Sequence, residues 1–197
     1  MSKIVVIENL TLDGVMQAPG RPDEDPRGGF RLGGWALPFS DAVSGSFMAQ
    51  RMATTRALVL GRRTYEDFAG FWPGQTDNPY AEVLDNTTKY VASSTLAEPL
   101  PWRNSELLEG DAADALARLK EEPGGELVVL GSGELTRSLM RRGLVDEFIL
   151  LVHPLVLGQG RRLFPDEGPP AAPRLVDSRA TTTGVVIATY ATEEDGS

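Results

Sequence analysis

Three short apolar runs end in residues suited to binding phosphate. Leu58–Glu66 reads LVLGRRTYE, Leu127–Leu135 reads LVVLGSGEL, and Lys89–Leu96 reads KYVASSTL. A strand that stops at glycine and turns into a helix offers free backbone N–H groups and the positive end of a helix dipole, which is what a phosphate needs. Glycine lets the backbone approach closely, and Ser, Thr and Arg donate to phosphate oxygens. Gly61, Arg62 and Thr64 form one such group, Ser93 and Ser94 a second, and Gly131, Ser132, Gly133 and Leu135 a third. Two glycine turns in one chain suggest a ligand with more than one phosphate, such as a dinucleotide.

Other residues offer different chemistry, and each has an ordinary alternative. Asp13, in Thr11-Leu12-Asp13-Gly14, could orient a substrate or pass a proton through water; an Asp-Gly pair is also a plain turn. Trp35, Phe71 and Trp72 could stack on a flat heterocycle, or pack beneath the long loop. Arg51 could hold an anionic substituent or remain solvated. His153 is the single histidine, placed in an apolar run before Pro154, and reads as either a core residue or a catalyst.

Composition narrows the classes. The chain has 197 residues, 41% of them hydrophobic, which fits one domain over residues 1–192 with a flexible tail at 193–197. Its 19 Lys and Arg against 28 Asp and Glu give a net charge of −9, so nucleic acid is not expected as a partner. With no cysteine and one histidine, disulfides, thiolate zinc sites and histidine-based metal clusters are excluded, and no metal is expected. No apolar run is long enough to span a bilayer, and MSKIVVIENL resembles a first strand more than a signal peptide. A cytoplasmic protein without membrane contact is expected.

The elements that must position these residues follow from periodicity. Lys3–Glu8 reads as a buried strand, followed by an irregular stretch to about Gly34. A helix is expected over Ser40–Thr55 with Ser40 as its N-cap, then a strand at Ala57–Leu60 and a helix at Arg62–Phe68. Phe71-Trp72-Pro73-Gly74 reads as a turn. Thr88–Ala92 is a strand, Asp111–Glu121 an amphipathic helix, Glu126–Leu130 a strand, and Gly133–Arg142 a helix closed by Gly143. Asp146–Val156 is the longest apolar strand, and Arg174–Ala180 with Gly184–Thr192 suggests a hairpin. Strand–helix alternation followed by strands predicts an α/β fold with a mixed, mostly parallel sheet and an antiparallel C-terminal edge hairpin. The exposed edges of that hairpin lead us to expect a homodimer.

Leu60–Glu66 resembles the strand–glycine–arginine–x–threonine segment of dihydrofolate reductases, and Ser93-Ser94 and Gly131–Leu135 are similar to their other nucleotide-binding turns. The closer likeness is to the C-terminal reductase domain of the bifunctional riboflavin-biosynthesis deaminase–reductase. It is carried by Thr11–Gly14, Gly131–Leu135, Gly143–Glu147 and His153–Phe164 (HPLVLGQGRRLF) in that order. The resemblance implies a three-layer reductase fold with helices on both sheet faces, binding NADPH with its nicotinamide near the loop after the first strand. It would place Gly61, Arg62 and Thr64 at the pyrophosphate and adenosine end, and Ser93 and Ser94 near the adenosine ribose and its 2′-phosphate. Gly131, Ser132, Gly133 and Leu135 would cradle the pyrophosphate and nicotinamide ribose. There is no GxGxxG.

Two departures bear on the substrate. Folate reductases carry a carboxylate on the helix after the first loop; Ser40–Thr55 offers only Asp41, near its start, which argues against folate. The cysteines of a deaminase domain are also lacking. The implied activity is NADPH-dependent reduction of a pterin- or pyrimidine-like heterocycle, at family level 5-amino-6-(5-phosphoribosylamino)uracil, with Asp13 as the catalytic candidate and Trp35, Arg51 and Trp72 as substrate-binding candidates. The alternative is a non-catalytic nucleotide-binding homodimer that kept the fold.

Overall fold

A computed structural model describes residues 1–164 and 170–192; the expected tail at 193–197 lies outside the described residues. Among the described residues eight strands form one sheet: β1 (Ile4–Thr11), β2 (Thr55–Gly61), β3 (Thr88–Ala92), β4 (Ser105–Leu107), β5 (Glu126–Leu130), β6 (Glu147–His153), β7 (Arg174–Ala180) and β8 (Val186–Ala191). Their order is β4-β3-β2-β5-β1-β6-β8-β7. Strands β4, β3, β2 and β5 pair in parallel, whereas β6, β8 and β7 pair antiparallel. The mixed, mostly parallel α/β sheet with an antiparallel edge is the architecture expected from the alternation.

Five α-helices accompany it among the described residues: α1 (Ala42–Thr54), α2 (Arg62–Phe71), α3 (Pro79–Asn86), α4 (Ala112–Glu121) and α5 (Gly133–Arg141). Two compact units emerge, one of Met1–Val6 with Ala49–Val145, the other of Ile7–Met48 with the residues from Asp146 onward. In the first unit, Leu58, Leu60, Leu84, Leu116, Leu127 and Leu139 are fully buried. Each contributes roughly 1.5–3 kcal/mol by leaving water. In the second, Ile149, Leu163 and Ile187 fill the same role.

Several boundaries differ from expectation for identifiable reasons. Strand β1 runs past Glu8 to Thr11, because its polar side chains find partners: Asn9 meets His153, and Thr11 Oγ1 accepts the Val15 N–H at 3.0 Å. The N-cap of α1 is Asp41 rather than Ser40. Asp41 Oδ1 accepts the Ser44 N–H at 2.8 Å and Ser44 Oγ accepts the Asp41 N–H at 3.2 Å, a reciprocal capping box, while the Ser40 N–H closes a 3₁₀ turn onto Leu37. Helix α2 continues through Gly70 to Phe71. Strand β6 ends at His153, since Pro154 lacks a donor for the ladder.

Two elements were not expected, α3 and β4. For α3 the signal was present: Asn78 caps the Tyr80 N–H at 3.0 Å, Pro79 occupies the first turn, and Ala81 and Leu84 bury at a three-residue spacing. Strand β4 has three residues and no periodicity to read.

Candidate functional site

The three phosphate-friendly turns come together within the first unit. Strand β2 lies between β3 and β5 and is parallel to both, so all three C-terminal ends face one edge. Gly61 pairs with Ala92 in register, which brings Ser93 beside the β2 turn. Gly61 is the N-cap of α2 and no side chain caps that helix end. After β5, Gly131 (φ 55°) and Ser132 (φ 64°) adopt left-handed backbone before α5 starts at Gly133. A left-handed non-glycine residue is uncommon, and Ser132 is held there by its hydroxyl.

Ser132 Oγ joins the two glycine turns. It accepts the Gly61 N–H at 2.8 Å and lies 3.0 Å from both Thr64 Oγ1 and the Leu130 carbonyl. A Cβ on Gly61 would sit 3.4 Å from Ser132 Oγ, and one on Gly131 would sit 3.3 Å from Thr64. The turns interlock because both glycines lack that atom. The first intrahelical bond at this end of α5 runs from Thr136 N–H to the Ser132 carbonyl, which leaves the first-turn amides of Gly133, Glu134 and Leu135 aimed out of the helix. A pyrophosphate fits this donor set: backbone amides, the Thr64 hydroxyl when Ser132 donates to it, and a nearby guanidinium.

The individual candidates contribute unequally. Arg62 is partly exposed and pairs with Glu66 at 3.2 Å, so an anion would compete with that carboxylate. Ser93 Oγ accepts the N–H groups of Thr95 and Leu96 at 3.1 and 3.0 Å, shaping its own turn, whereas Ser94 is exposed. Leu135 is buried, so its side chain belongs to the core and only its backbone faces the turn. Arg51 forms an ion pair with Glu126 at 2.9 Å, both side chains mostly buried. Trp72 packs edge-on against Phe68, Phe71 and Tyr80 at centroid distances of 6.3, 5.2 and 5.4 Å. It is one ring of a cluster rather than a free stacking platform.

Within the second unit, Asp13 is a clasp. Its Oδ1 accepts from Thr11 Oγ1 at 2.6 Å and from the Leu157 N–H at 3.2 Å, and its Oδ2 accepts the Gly158 N–H at 2.8 Å. Its carbonyl takes Arg162 Nε at 2.8 Å. The Thr11 hydroxyl, and then the two amides, lower its pKa to about 2. It is a carboxylate at neutral pH, better placed to tie the loop after β1 to residues 157–158 than to give up a proton.

Trp35 is buried with Val15, Ala18 and Phe30 and donates its indole N–H to the Gln17 carbonyl at 2.7 Å. The loop from Gln17 to Gly34 is thereby built around its own small core. The edge of the aromatic cluster meets His153, with Trp35 and Phe39 perpendicular to the imidazole at 5.2 and 5.6 Å. His153 Nε2 lies 3.0 Å from Asn9 Oδ1, and burial lowers the imidazole pKa to about 4.

Asn9 and Glu8 were missed by sequence reading. Glu8 is buried, and desolvation, followed by the nearby Glu24 carboxylate, raises its pKa well above the usual range. A glutamate in an otherwise apolar strand was the available signal. Asn9 offered none.

Among known proteins, the chain is 29% identical over 140 residues to YyaP of Bacillus subtilis strain 168, which is uncharacterized, covering 68% of this chain and 72% of YyaP. It is 34% identical over 111 residues to YwjB of the same organism, also uncharacterized, covering 56% and 59%. Its fold matches the crystal structure of a putative riboflavin biosynthesis protein from Shewanella sp. PV-4, with a TM-score of 0.70 at 22% identity over 98% of this chain and 99% of the other. It also matches a pyrimidine reductase-like protein from Corynebacterium diphtheriae, with a TM-score of 0.62 at 13% identity over 98% and 93%. The sequence model of the RibD C-terminal domain runs over residues 2–187, nearly the full chain, and the protein therefore belongs to that family.

Proposed function

We propose that this protein is an NADPH-dependent reductase of a pyrimidine- or pterin-like heterocycle, at its most specific a reductase of 5-amino-6-(5-phosphoribosylamino)uracil. The observation that carries this reading is the Ser132 junction, which locks two glycine turns at adjacent strand ends beside the N-terminus of α5. Family membership and the named fold neighbours support it.

When bound, NADPH supplies a hydride to the ring-opened sugar carbon attached to the pyrimidine nitrogen, and solvent supplies the proton that the nitrogen gains. Thr64, Gly133 and the amide of Leu135 would hold the pyrophosphate on turns that Gly61 and Ser132 fix to each other, with Arg62 as an outer contact and Ser93 and Ser94 toward the adenosine end. Asp13 is a positioning residue that holds the loop after β1 through residues 157–158. Catalysis of this kind rests on orientation and water exclusion, with reacting atoms about 3–3.5 Å apart.

A second reading, a nucleotide-binding protein without chemistry, draws on the lack of a helix carboxylate placed to give a proton. Asp13 is held ionised, and Asp41 is held ionised by the Ser44 amide and the Thr182 hydroxyl. For either reading we propose a homodimer formed through β7, an edge strand exposed along its whole length with Leu175 and Val176 on its surface. The deciding experiment is NADPH oxidation with the ribosylamino-pyrimidine, its dephosphorylated form and dihydrofolate. Turnover of the first supports the reductase, and binding without turnover of any of the three supports the second reading.

A further inference from the structure

The Asn9–His153 pair carries a consequence for substrate choice. His153 is 4% exposed, its Nε2 faces Asn9 Oδ1 at 3.0 Å, and its Nδ1 has no hydrogen-bond partner among the described residues. Two arrangements of the pair are chemically possible. With the proton on Nδ1, a buried N–H would be stranded and Nε2 would have to accept from a flipped Asn9 amide. With the proton on Nε2, it donates to Asn9 Oδ1 and only an acceptor lacks a partner. Stranded buried donors are the rarer and costlier case. Trp35 and Phe39, edge-on against the ring, hold the imidazole in place. Phe39 is itself tied, since its carbonyl accepts the Thr183 hydroxyl at 2.6 Å.

The Nε2–H form fixes the Asn9 side chain. Its oxygen accepts from His153, and its NH₂ group has no protein partner among the described residues; the residue is only half-buried. The half-buried amide thus turns its oxygen toward His153 and displays its NH₂ donors on the other side. We propose that Asn9 recognises a carbonyl oxygen on the flat heterocycle, with His153 as the positioning residue that keeps the amide in its donating orientation. The site would favour a pyrimidinedione edge over an amino-substituted edge. This rests on the reductase reading for the presence of a heterocyclic ligand, but not on hydride transfer.

The test has two parts on the full-length protein. With one histidine in the chain, nitrogen NMR of labelled protein reports its tautomer without assignment ambiguity. The Nε2–H form is expected; the Nδ1–H form would overturn the proposal. Calorimetry then compares 5,6-diaminouracil with 2,4,5,6-tetraaminopyrimidine, with and without NADPH. Wild type should prefer the dione by about tenfold, the value of one hydrogen bond. Asn9→Asp keeps the bond from His153 but displays an acceptor, and should reverse the preference. His153→Phe keeps the aromatic packing but frees the amide to flip, and should bring the two ligands near parity.

An unchanged preference in both variants, or no saturable binding of either pyrimidine by wild type, would overturn the inference. If a variant fails to fold, the wild-type preference and tautomer still decide it. NADPH binding without the dione preference would sink this proposal and leave the reductase standing. The dione preference without NADPH binding would do the reverse.

Discussion

The glycine turns of the first unit and the β1–β6 pair of the second solve the same problem differently. At Gly61, Gly131 and Ser132 the polar groups are mostly backbone, placed by where strands stop and helices begin. At Asn9, Asp13 and His153 they are side chains, and each takes its orientation from a partner 144 or more residues away. A site made of backbone tolerates many ligands that share a charge. A site made of oriented side chains can tell a carbonyl from an amine. The first arrangement suits a nucleotide common to many enzymes, and the second suits the part of the ligand that differs between them.

Damage to one region should leave the other intact, and the largest effect is expected at Gly131. Gly131→Val would force a β-branched residue to φ 55° with its Cβ 3.3 Å from Thr64. The left-handed strain and the displaced Thr64 together should weaken NADPH binding roughly a hundredfold. The His153 nitrogen spectrum should not change; a change would break the proposed independence.

Asp13→Ala leaves two amides and a hydroxyl without their acceptor, and should cost about 2–3 kcal/mol in chemical denaturation at neutral pH while NADPH affinity holds. Because the folded pKa of Asp13 is lowered from 3.8 to about 2, its stabilisation is complete above pH 4 and fades as pH falls through that range. Wild type and variant should converge there.

His153 gives a smaller signal with a definite sign. Its pKa falls from 6.5 unfolded to about 4 folded, so between those values the unfolded chain binds the proton that the folded chain refuses, and stability rises with pH. His153→Phe should remove that rise. Glu8 acts oppositely, because its raised folded pKa makes stability fall with pH above about 4.5, and Glu8→Gln should raise stability at neutral pH. Denaturant midpoints across pH for the three proteins separate the His153 effect from the Glu8 effect. The smallest effect is expected for Arg62→Ala, a few-fold loss of NADPH affinity that shrinks further in salt, since Arg62 is a partly exposed charge already paired with Glu66.

What could be read from the sequence follows the same division. Strand ends at Gly61 and Gly131, the Asp111 cap of α4 and the Gly143 stop of α5 are local signals, and the structure has them where the residues imply. Asp41 as the α1 cap is nearly local: its Oδ2 also accepts from Thr182, 141 residues on, so choosing it over Ser40 required the fold. Asn9 was not legible. An asparagine at the end of an apolar strand normally marks where the strand stops, and here the strand continues because His153 satisfies the side chain. Trp72 and Trp35 show the converse, aromatic residues that suggested stacking surfaces but whose rings are engaged in packing.

Whether the interlocked turns grip NADPH is decided by titrating the protein with NADPH and NADH while following nicotinamide fluorescence, alongside Gly131→Val. Saturable binding on the order of micromolar is expected for NADPH, about −8 kcal/mol, with weaker NADH binding and roughly a hundredfold loss in the variant. Absence of saturation with either cofactor, or equal binding by Gly131→Val, would exclude these turns as the nucleotide site.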